Sequence, residues 1–220
     1  MLIGEEIILI AIDGTKGTLN KDEIPHFKYA VTGALLKDLE LLGKIRFGVN
    51  KKNDIMIEII EDSPPTDPLL AQVLQIIIDY PKKKKVYKIV ELLNKYHSDF
   101  FPQLINRLVE HGFIKKIEKK RLLIFKELQF SLTQSSIMSE IYDTLQEINS
   151  SIQSSSIHAI SLLTLIKATK LSQNLFNQHN ILFSNSDFTE LLQTDMLAYY
   201  LNRFLEASEW GDLAVRVITS

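Results

Sequence analysis

Twelve basic residues lie between Pro81 and Arg121: Lys82, Lys83, Lys84, Lys85, Lys88, Lys95, Arg107, Lys115, Lys116, Lys119, Lys120 and Arg121. Four acidic residues oppose them, Glu91, Asp99, Glu110 and Glu118, so the segment carries +8. The rest of the chain holds 13 basic and 23 acidic residues, or −10, which leaves the total at −2. A near-neutral chain that sorts its charge this strongly presents a positive face to a polyanion. An anionic membrane, a lipid headgroup and a nucleic acid are the chemistries that such a face can meet. The densest positions are Lys82, Lys83, Lys84 and Lys85, followed by Lys119, Lys120 and Arg121.

Other residue types that could do chemistry lack the spacing for it. His26, His97, His111, His158 and His179 form no metal-ligand pattern. Asp13-Gly14-Thr15-Lys16-Gly17 has glycine and lysine without the phosphate-loop spacing, and reads as a turn. Glu5 and Glu6 are adjacent and point to different parts of a helix surface, so they make no matched acid/base pair. No nucleophile elbow is present. No catalytic residue, metal site or cofactor is therefore expected, and the chain is read as a non-enzyme. With no cysteine, disulfides and thiolate sites are excluded, and a cytosolic or cytosol-facing location is expected. No apolar run approaches the roughly 20 residues of a bilayer span. The start, with Glu5 and Glu6 ahead of its apolar stretch, is not expected to be a secretory leader. Any membrane attachment is thus expected to be peripheral.

The elements that must position these lysines follow from periodicity. Apolar spacing predicts an amphipathic helix over Leu2–Ile12, closed by a turn at Asp13-Gly14 and Gly17. A second helix is predicted over Ile24–Leu42, ended by Gly43, with Gly33 in its middle at a cost of about 1 kcal/mol unless a neighbour packs closely there. Lys44–Ile60 switches to a period of two, giving a hairpin turned at Asn50-Lys51-Lys52-Asn53. Asp62–Pro68 is a rigid connector. Helices are predicted over Leu69–Asp79, Lys84–Lys95 and Asp99–His111, the last stopped by Gly112. A second hairpin is predicted over Phe113–Phe125, turned at Glu118-Lys119-Lys120-Arg121. Helices over Ser135–Ile148, Ile157–Leu171 and Leu197–Ile218 complete the chain, the first two separated by a serine cluster read as a helix-capping loop. With 45% hydrophobic and 24% charged residues, the sequence reads as a globular protein. The expected architecture is one compact domain over residues 1–220, mainly α with β-hairpins.

Four blocks in this order carry a resemblance: Glu5–Asp13 with Gly17, Gly33–Ile45, Asp67–Leu70 and Leu108–Ile114. Together with a weaker match around Leu162–Ile166, the chain resembles the Golgi phosphoprotein 3 family over essentially its whole length. That resemblance implies a largely helical peripheral membrane protein that reads phosphatidylinositol 4-phosphate and holds membrane enzymes by their cytosolic tails. It implies a headgroup pocket of one tryptophan and three arginines, whose positions fall here at about Glu23 and at Thr32, Ser98 and Phe101. None of these side chains supplies the planar fork that donates two parallel bonds to phosphate. Lys28, one turn before Thr32, and Lys95 and His97, just before Ser98, are the nearest substitutes. The arginine-rich tail that the family carries ahead of this domain is expected to be absent, since the domain begins at Met1.

Three functions compete on these residues. In the first, the chain is a peripheral module on the cytosolic face of a membrane, the Golgi if the source is eukaryotic. Its contacts to anionic lipid are expected from Lys28, Lys82, Lys83, Lys84, Lys85, Lys95, His97, Lys119, Lys120 and Arg121, each near-surface lysine contributing roughly 1 kcal/mol. The Phe113–Phe125 hairpin is the expected contact element, or a site of self-association. In the second, Asp99–His111 and the basic hairpin form a winged helix on nucleic acid. Against it, the helix offers Arg107 as its one cation beside Asp99 and Glu110, a poor recognition surface. In the third, the acidic remainder, including Glu190, Asp195, Glu206, Glu209 and Asp212, receives basic tails of membrane proteins.

Overall fold

The computed structural model describes residues 1–14, 26–121, 125–150, 155–171 and 185–219. Its first helix departs from the periodic reading. α1 (Ile3–Gly14) is buried at every residue from Ile3 to Ile12, so it is a central helix instead of an amphipathic surface one. Glu5 and Glu6 are only 1% and 9% exposed. They tolerate this because charged partners reach them from distant parts of the chain. The helix also continues through Asp13 and Gly14, where a turn was expected, and Gly17 lies outside the described residues.

α2 (Phe27–Leu41) lies against α1 and forms the other half of the frame. His26 enters it with φ 63° and Gly43 leaves it with φ 69°, the left-handed conformation that glycine takes without penalty. The predicted start at Ile24 and Pro25 lies outside the described residues. Gly33 is explained by its neighbours. A Cβ there would stand 2.8 Å from Leu165 Cδ2 and 2.9 Å from Leu201 Cδ1. Those leucines belong to α7 (Ile157–Ala168) and α9 (Met196–Thr219), which approach α2 at the point where it carries no side chain.

The first hairpin forms as expected. β1 (Ile45–Val49) pairs antiparallel with β2 (Ile55–Ile59), with Ile45 opposite Ile59 and Val49 opposite Ile55. Asn50 fixes the turn by accepting from the backbone N–H groups of Lys52 and Asp54, while Asn53 adopts φ 59°. In α3 (Pro68–Asp79) the Asp67 carboxylate caps the N-terminus by accepting from Leu69 and Leu70 N–H, and Pro68 fills the first position. α4 (Val86–Asn94) and α5 (His97–Glu110) follow, so Lys84, Lys85 and Lys95 flank α4 instead of lying within it.

The second hairpin is longer than expected. β3 (Ile114–Arg121) pairs with β4 (Phe125–Leu132), from Ile114 opposite Leu132 to Arg121 opposite Phe125. Glu118, Lys119, Lys120 and Arg121 are therefore strand residues, not a turn, and Leu122–Ile124 lie outside the described residues. The apolar anchors that set this register, Ile114 and Phe130, are buried at the base of the ladder. Phe130 falls beyond the predicted arm, which is why the turn was placed too early.

α6 (Ser135–Ser150) precedes α7, whose N-terminus Ser156 caps by accepting from Ala159 N–H. Ser151 and Ser154 lie outside the described residues. The sequence reading missed α8 (Asn185–Thr194), in which Phe188, Leu191 and Leu192 are too few to show a long period. Buried apolar side chains from Ile3 to Leu201 form one continuous cluster.

Candidate functional site

The lysine run does not stand alone. Ile57 N–H of β2 donates to Lys84 O at 2.7 Å, and Met56 bridges to Lys85. The loop before α4 thus lies along β2 as a strand fragment. Lys85 Nζ sits 2.9 Å from Asp54 Oδ2 at the end of the hairpin. Exposed Lys51 and Lys52 lie in the hairpin turn beside Asp54, and exposed Lys82 and Lys83 enter the same β2 edge from the Ile57 side. Hydrogen bonds from Lys85 and Asn50 hold the Asp54 carboxyl below its usual range, with the charges of Lys85 and Lys52 adding to them. The same bond raises the Lys85 ammonium. Lys51 and Lys52 were missed as site residues because roughly thirty residues separate them from the run, and a backbone pairing alone unites them.

Within the run the lysines differ. Lys84 Nζ lies 3.2 Å from Tyr80 O and 3.5 Å from Ile78 O, at the C-terminal end of α3, where a cation meets unpaired carbonyls. Lys88 pairs with Glu91 at 3.2 Å and stands 4.8 Å from the centre of the Tyr87 ring. Lys82 and Lys83 have no ion pair among the described residues.

The remaining candidates disperse. Lys28 is exposed, 5.3 Å over the ring of Tyr29, and Lys95 is exposed just after α4. His97 is half-buried in an aromatic stack, 5.6 Å from Phe101 and edge-on to Phe27 at 6.0 Å. Lys119, Lys120 and Arg121 extend along β3 opposite Glu127, Lys126 and Phe125; only their backbone is described. Arg107 leaves the basic surface altogether, its Nε 2.9 Å from Glu5 Oε1 and its Nη1 2.6 Å from Asp67 Oδ2. Asp195 likewise is not open to a basic tail, since it is 5% exposed and bound to Lys37 at 2.9 Å and to the Thr164 hydroxyl at 2.8 Å.

The positions matched to the family's headgroup pocket hold other contacts. Thr32, 1% exposed, donates its hydroxyl to Asn94 Oδ1 at 2.6 Å. Phe101 completes the stack with Phe27 and His97, Ser98 is exposed, and Glu23 lies outside the described residues.

The interior charges, by contrast, are closely matched. Besides the Glu5–Arg107–Asp67 triad, Glu6 Oε2 meets His158 Nε2 at 2.7 Å, which raises the imidazole above its usual range. Burial lowers the tendency of Arg107 to stay charged, but Asp67 and Glu5 more than offset this and raise it overall. Asp38 accepts from Ile3 N–H at 2.9 Å and more weakly from Gly4 N–H at 3.4 Å, holding the start of α1; burial nonetheless pushes its carboxyl up to about 7. Two of the blocks that carry the resemblance, Glu5–Asp13 and Asp67–Leu70, supply the two carboxylates of the Glu5–Arg107–Asp67 triad, and the block Leu108–Ile114 begins one residue after its arginine.

Frame and edge together define a mainly helical protein closed around paired interior charges, with a lysine-rich rim on one hairpin. No described helix is long and apolar enough to cross a membrane, and the described residues hold no cluster of three or more groups suited to a metal ion. The family model of Golgi phosphoprotein 3 (GPP34) matches residues 3–214, and the chain belongs to that family. Among curated proteins no match is found.

Proposed function

We propose that this chain is a peripheral membrane-binding module, held on an anionic cytosolic membrane face by the edge that joins Lys51 and Lys52 to Lys82 and Lys83. The observation that supports this most is the pairing of the Lys84 segment with β2, which joins the lysine run to the edge of the hairpin whose turn carries Lys51 and Lys52. Four lysines at roughly 1 kcal/mol each give useful affinity for an anionic leaflet without a stereospecific pocket. Half-buried Tyr87, with the ammonium groups of Lys88 and Lys85 at 4.8 and 5.8 Å from its ring centre, suits the interfacial zone, where an apolar ring and a polar tip are both satisfied. Headgroup reading by paired arginine forks is not available at Thr32 or Phe101, so binding is driven by charge and falls as salt rises. As in the family, the module serves as an adaptor for cytosolic tails of membrane proteins, on the Golgi if the source is eukaryotic, and the second hairpin serves self-association.

The test is co-sedimentation with vesicles of phosphatidylcholine alone, with phosphatidylserine, and with phosphatidylinositol 4-phosphate at matched charge. Binding to both anionic vesicles, lost between about 0.05 and 0.3 M salt and weakened by joint Lys51, Lys52, Lys82 and Lys83→Gln, is expected. Salt-resistant binding to the phosphoinositide alone would overturn the charge-driven reading. A gel shift on duplex DNA that exceeds vesicle binding would turn the edge over to nucleic acid.

A further inference from the structure

The first hairpin carries its apolar face past the core. Side chains alternate between the two faces of a strand, so Phe47 and Val49 of β1 share one face with Ile55 and Ile57 of β2. Phe47 and Ile57 are 6% and 4% exposed and belong to the core cluster. The next pair on that face leaves it: Val49 is 54% exposed, and Ile55 opposite is half-buried. Asn50 N–H donates to Asp54 O at 3.0 Å, so Val49 and Ile55 are the adjoining pair without mutual hydrogen bonds, in which side chains lie closest. Lys51 and Lys52 follow at once, both exposed. We infer that this tip enters the interfacial layer of an anionic membrane, with Val49 below the headgroups and Lys51 and Lys52 at their phosphates. This rests on the charge-driven binding proposed above and goes past it by naming the segment that enters the lipid.

The tip is built before it meets a surface. Asn50 Oδ1 accepts from Lys52 N–H at 2.8 Å and from Asp54 N–H at 3.0 Å, and the Asn50 amide donates to Asp54 Oδ2 at 3.1 Å. Lys85 holds the same carboxylate at 2.9 Å from the neighbouring loop. A turn fixed in this way loses little freedom on binding. The Asp54 charge is also matched by Lys85, which leaves Lys51 and Lys52 free to act on an anionic surface.

Shape decides the occupant. A specific protein partner needs about 1,000 Å² of complementary surface, and one exposed valine at a hairpin end does not supply it. A nucleic acid takes the lysines at its phosphates and leaves the valine in water. A bilayer asks for no shape: apolar side chains go below the headgroups while lysine stems lie along them and reach back to the phosphates. The run that holds Lys82 and Lys83 joins the β2 edge of this hairpin through Lys84 and Lys85, so the tip continues a charged border. One valine adds to those charges and does not replace them.

The chain holds no cysteine, so a single label can be placed at will. Val49→Cys and, on β4, Glu127→Cys each receive a bimane, and the quencher is a nitroxide lipid in vesicles of phosphatidylcholine and phosphatidylserine. With the whole chain bound, quenching at position 49 should exceed that at position 127 at least threefold. Val49→Thr keeps a branched strand side chain and removes half of its apolar end. It should cut partition about three- to tenfold, as roughly half of a valine's transfer out of water implies, and by the same factor at about 0.05 and 0.15 M salt. The loss in joint Lys51→Gln and Lys52→Gln should instead shrink as salt rises. Equal quenching at the two positions, or unchanged partition of Val49→Thr, on vesicles that still bind through the lysines would overturn this inference and leave the charged edge standing. Failure to bind any anionic vesicle would overturn both.

Discussion

The two charged regions of this molecule obey opposite rules. Around α1, Glu5, Glu6, Arg107 and His158 each meet an opposite charge within hydrogen-bond distance, and Glu5 and Glu6 are almost wholly out of water. Along the first hairpin and the loop before α4, Lys51, Lys52, Lys82 and Lys83 stand in solvent with no counter-charge bonded to them among the described residues. Interior charges of the first kind are held by the fold and are costly to disturb. Solvated charges of the second kind contribute almost nothing to folding and repel one another slightly, so the fold does not depend on them. Two of the blocks that carry the family likeness supply Glu5 and Asp67 of the triad in the first region, and a third begins one residue after Arg107, whereas the proposed lipid-binding edge sits in the second, where no packing constraint fixes a residue type.

The sharpest way to break this contrast is to remove one interior charge. Arg107→Ala leaves Glu5 and Asp67 without their counter-ion, and should cost about 3–5 kcal/mol in urea unfolding, as lost buried pairs do. A cost below about 1 kcal/mol would mean that water already reaches the triad, and the distinction between the two regions would fail.

Asp38 gives the interior a pH signature. Its folded carboxyl sits at about 7 against 3.8 in the unfolded chain, so between those values the folded state binds the extra proton. Stability then falls as pH rises through that window, by at most about 4 kcal/mol at 1.36 kcal/mol per unit. His158, raised by Glu6, acts in the same direction: its contribution is full below the unfolded imidazole value and lost as pH rises through the folded one. Thermal melts should therefore drop between about pH 4 and 7, with the smaller share of His158 following above the usual imidazole range, and Asp38→Asn should flatten most of that slope while leaving the share of His158.

Gly33→Ala probes the frame without charge. The new methyl meets Leu165 and Leu201 below 3 Å, an overpacking that costs about 1–3 kcal/mol, against which better helix propensity returns about 1. A net loss of about 1 kcal/mol in the unfolding midpoint is expected, and pairing it with Leu165→Ala should recover part of it.

Much of the frame was legible from spacing: the hairpin at Lys44–Ile60 from its change of period, the stop at Gly43, and the close approach at Gly33. What failed had one cause, that the deciding partner lay far along the chain. Glu5 and Glu6 read only as adjacent carboxylates on different parts of a helix surface, because Arg107 and His158, which pair with them, are invisible to a local window. The second turn was misplaced because Phe130, which anchors the ladder, lay beyond the window. Of the candidate site, Lys82 and Lys83 were legible as exposed charge. That Lys51 and Lys52 belong to the hairpin edge which this run joins rests on one backbone pairing, and the withdrawal of Arg107 and the stacking of His97 rest on tertiary contacts.

The finest test divides the lysine run itself. Lys82, Lys83 and Lys84 are identical and consecutive, so sequence alone assigns them one role, yet only Lys84 reaches the carbonyls that end α3. Lys84→Gln removes a cation from a helix C-terminus, a loss of about 0.3–1 kcal/mol, readable as a small drop in melting temperature at low salt that shrinks as salt is added. The double variant Lys82→Gln and Lys83→Gln should leave the melting temperature unchanged and cut partition onto phosphatidylserine vesicles about tenfold or more, following roughly 1 kcal/mol per lysine. Lys84→Gln should cut that partition by less than twofold, because its charge is already turned inward to Tyr80. If all three substitutions weakened vesicle binding alike and none touched stability, the run would be a uniform solvated stripe, and the boundary between the matched interior and the open edge would have to be drawn before Lys84 instead of through it.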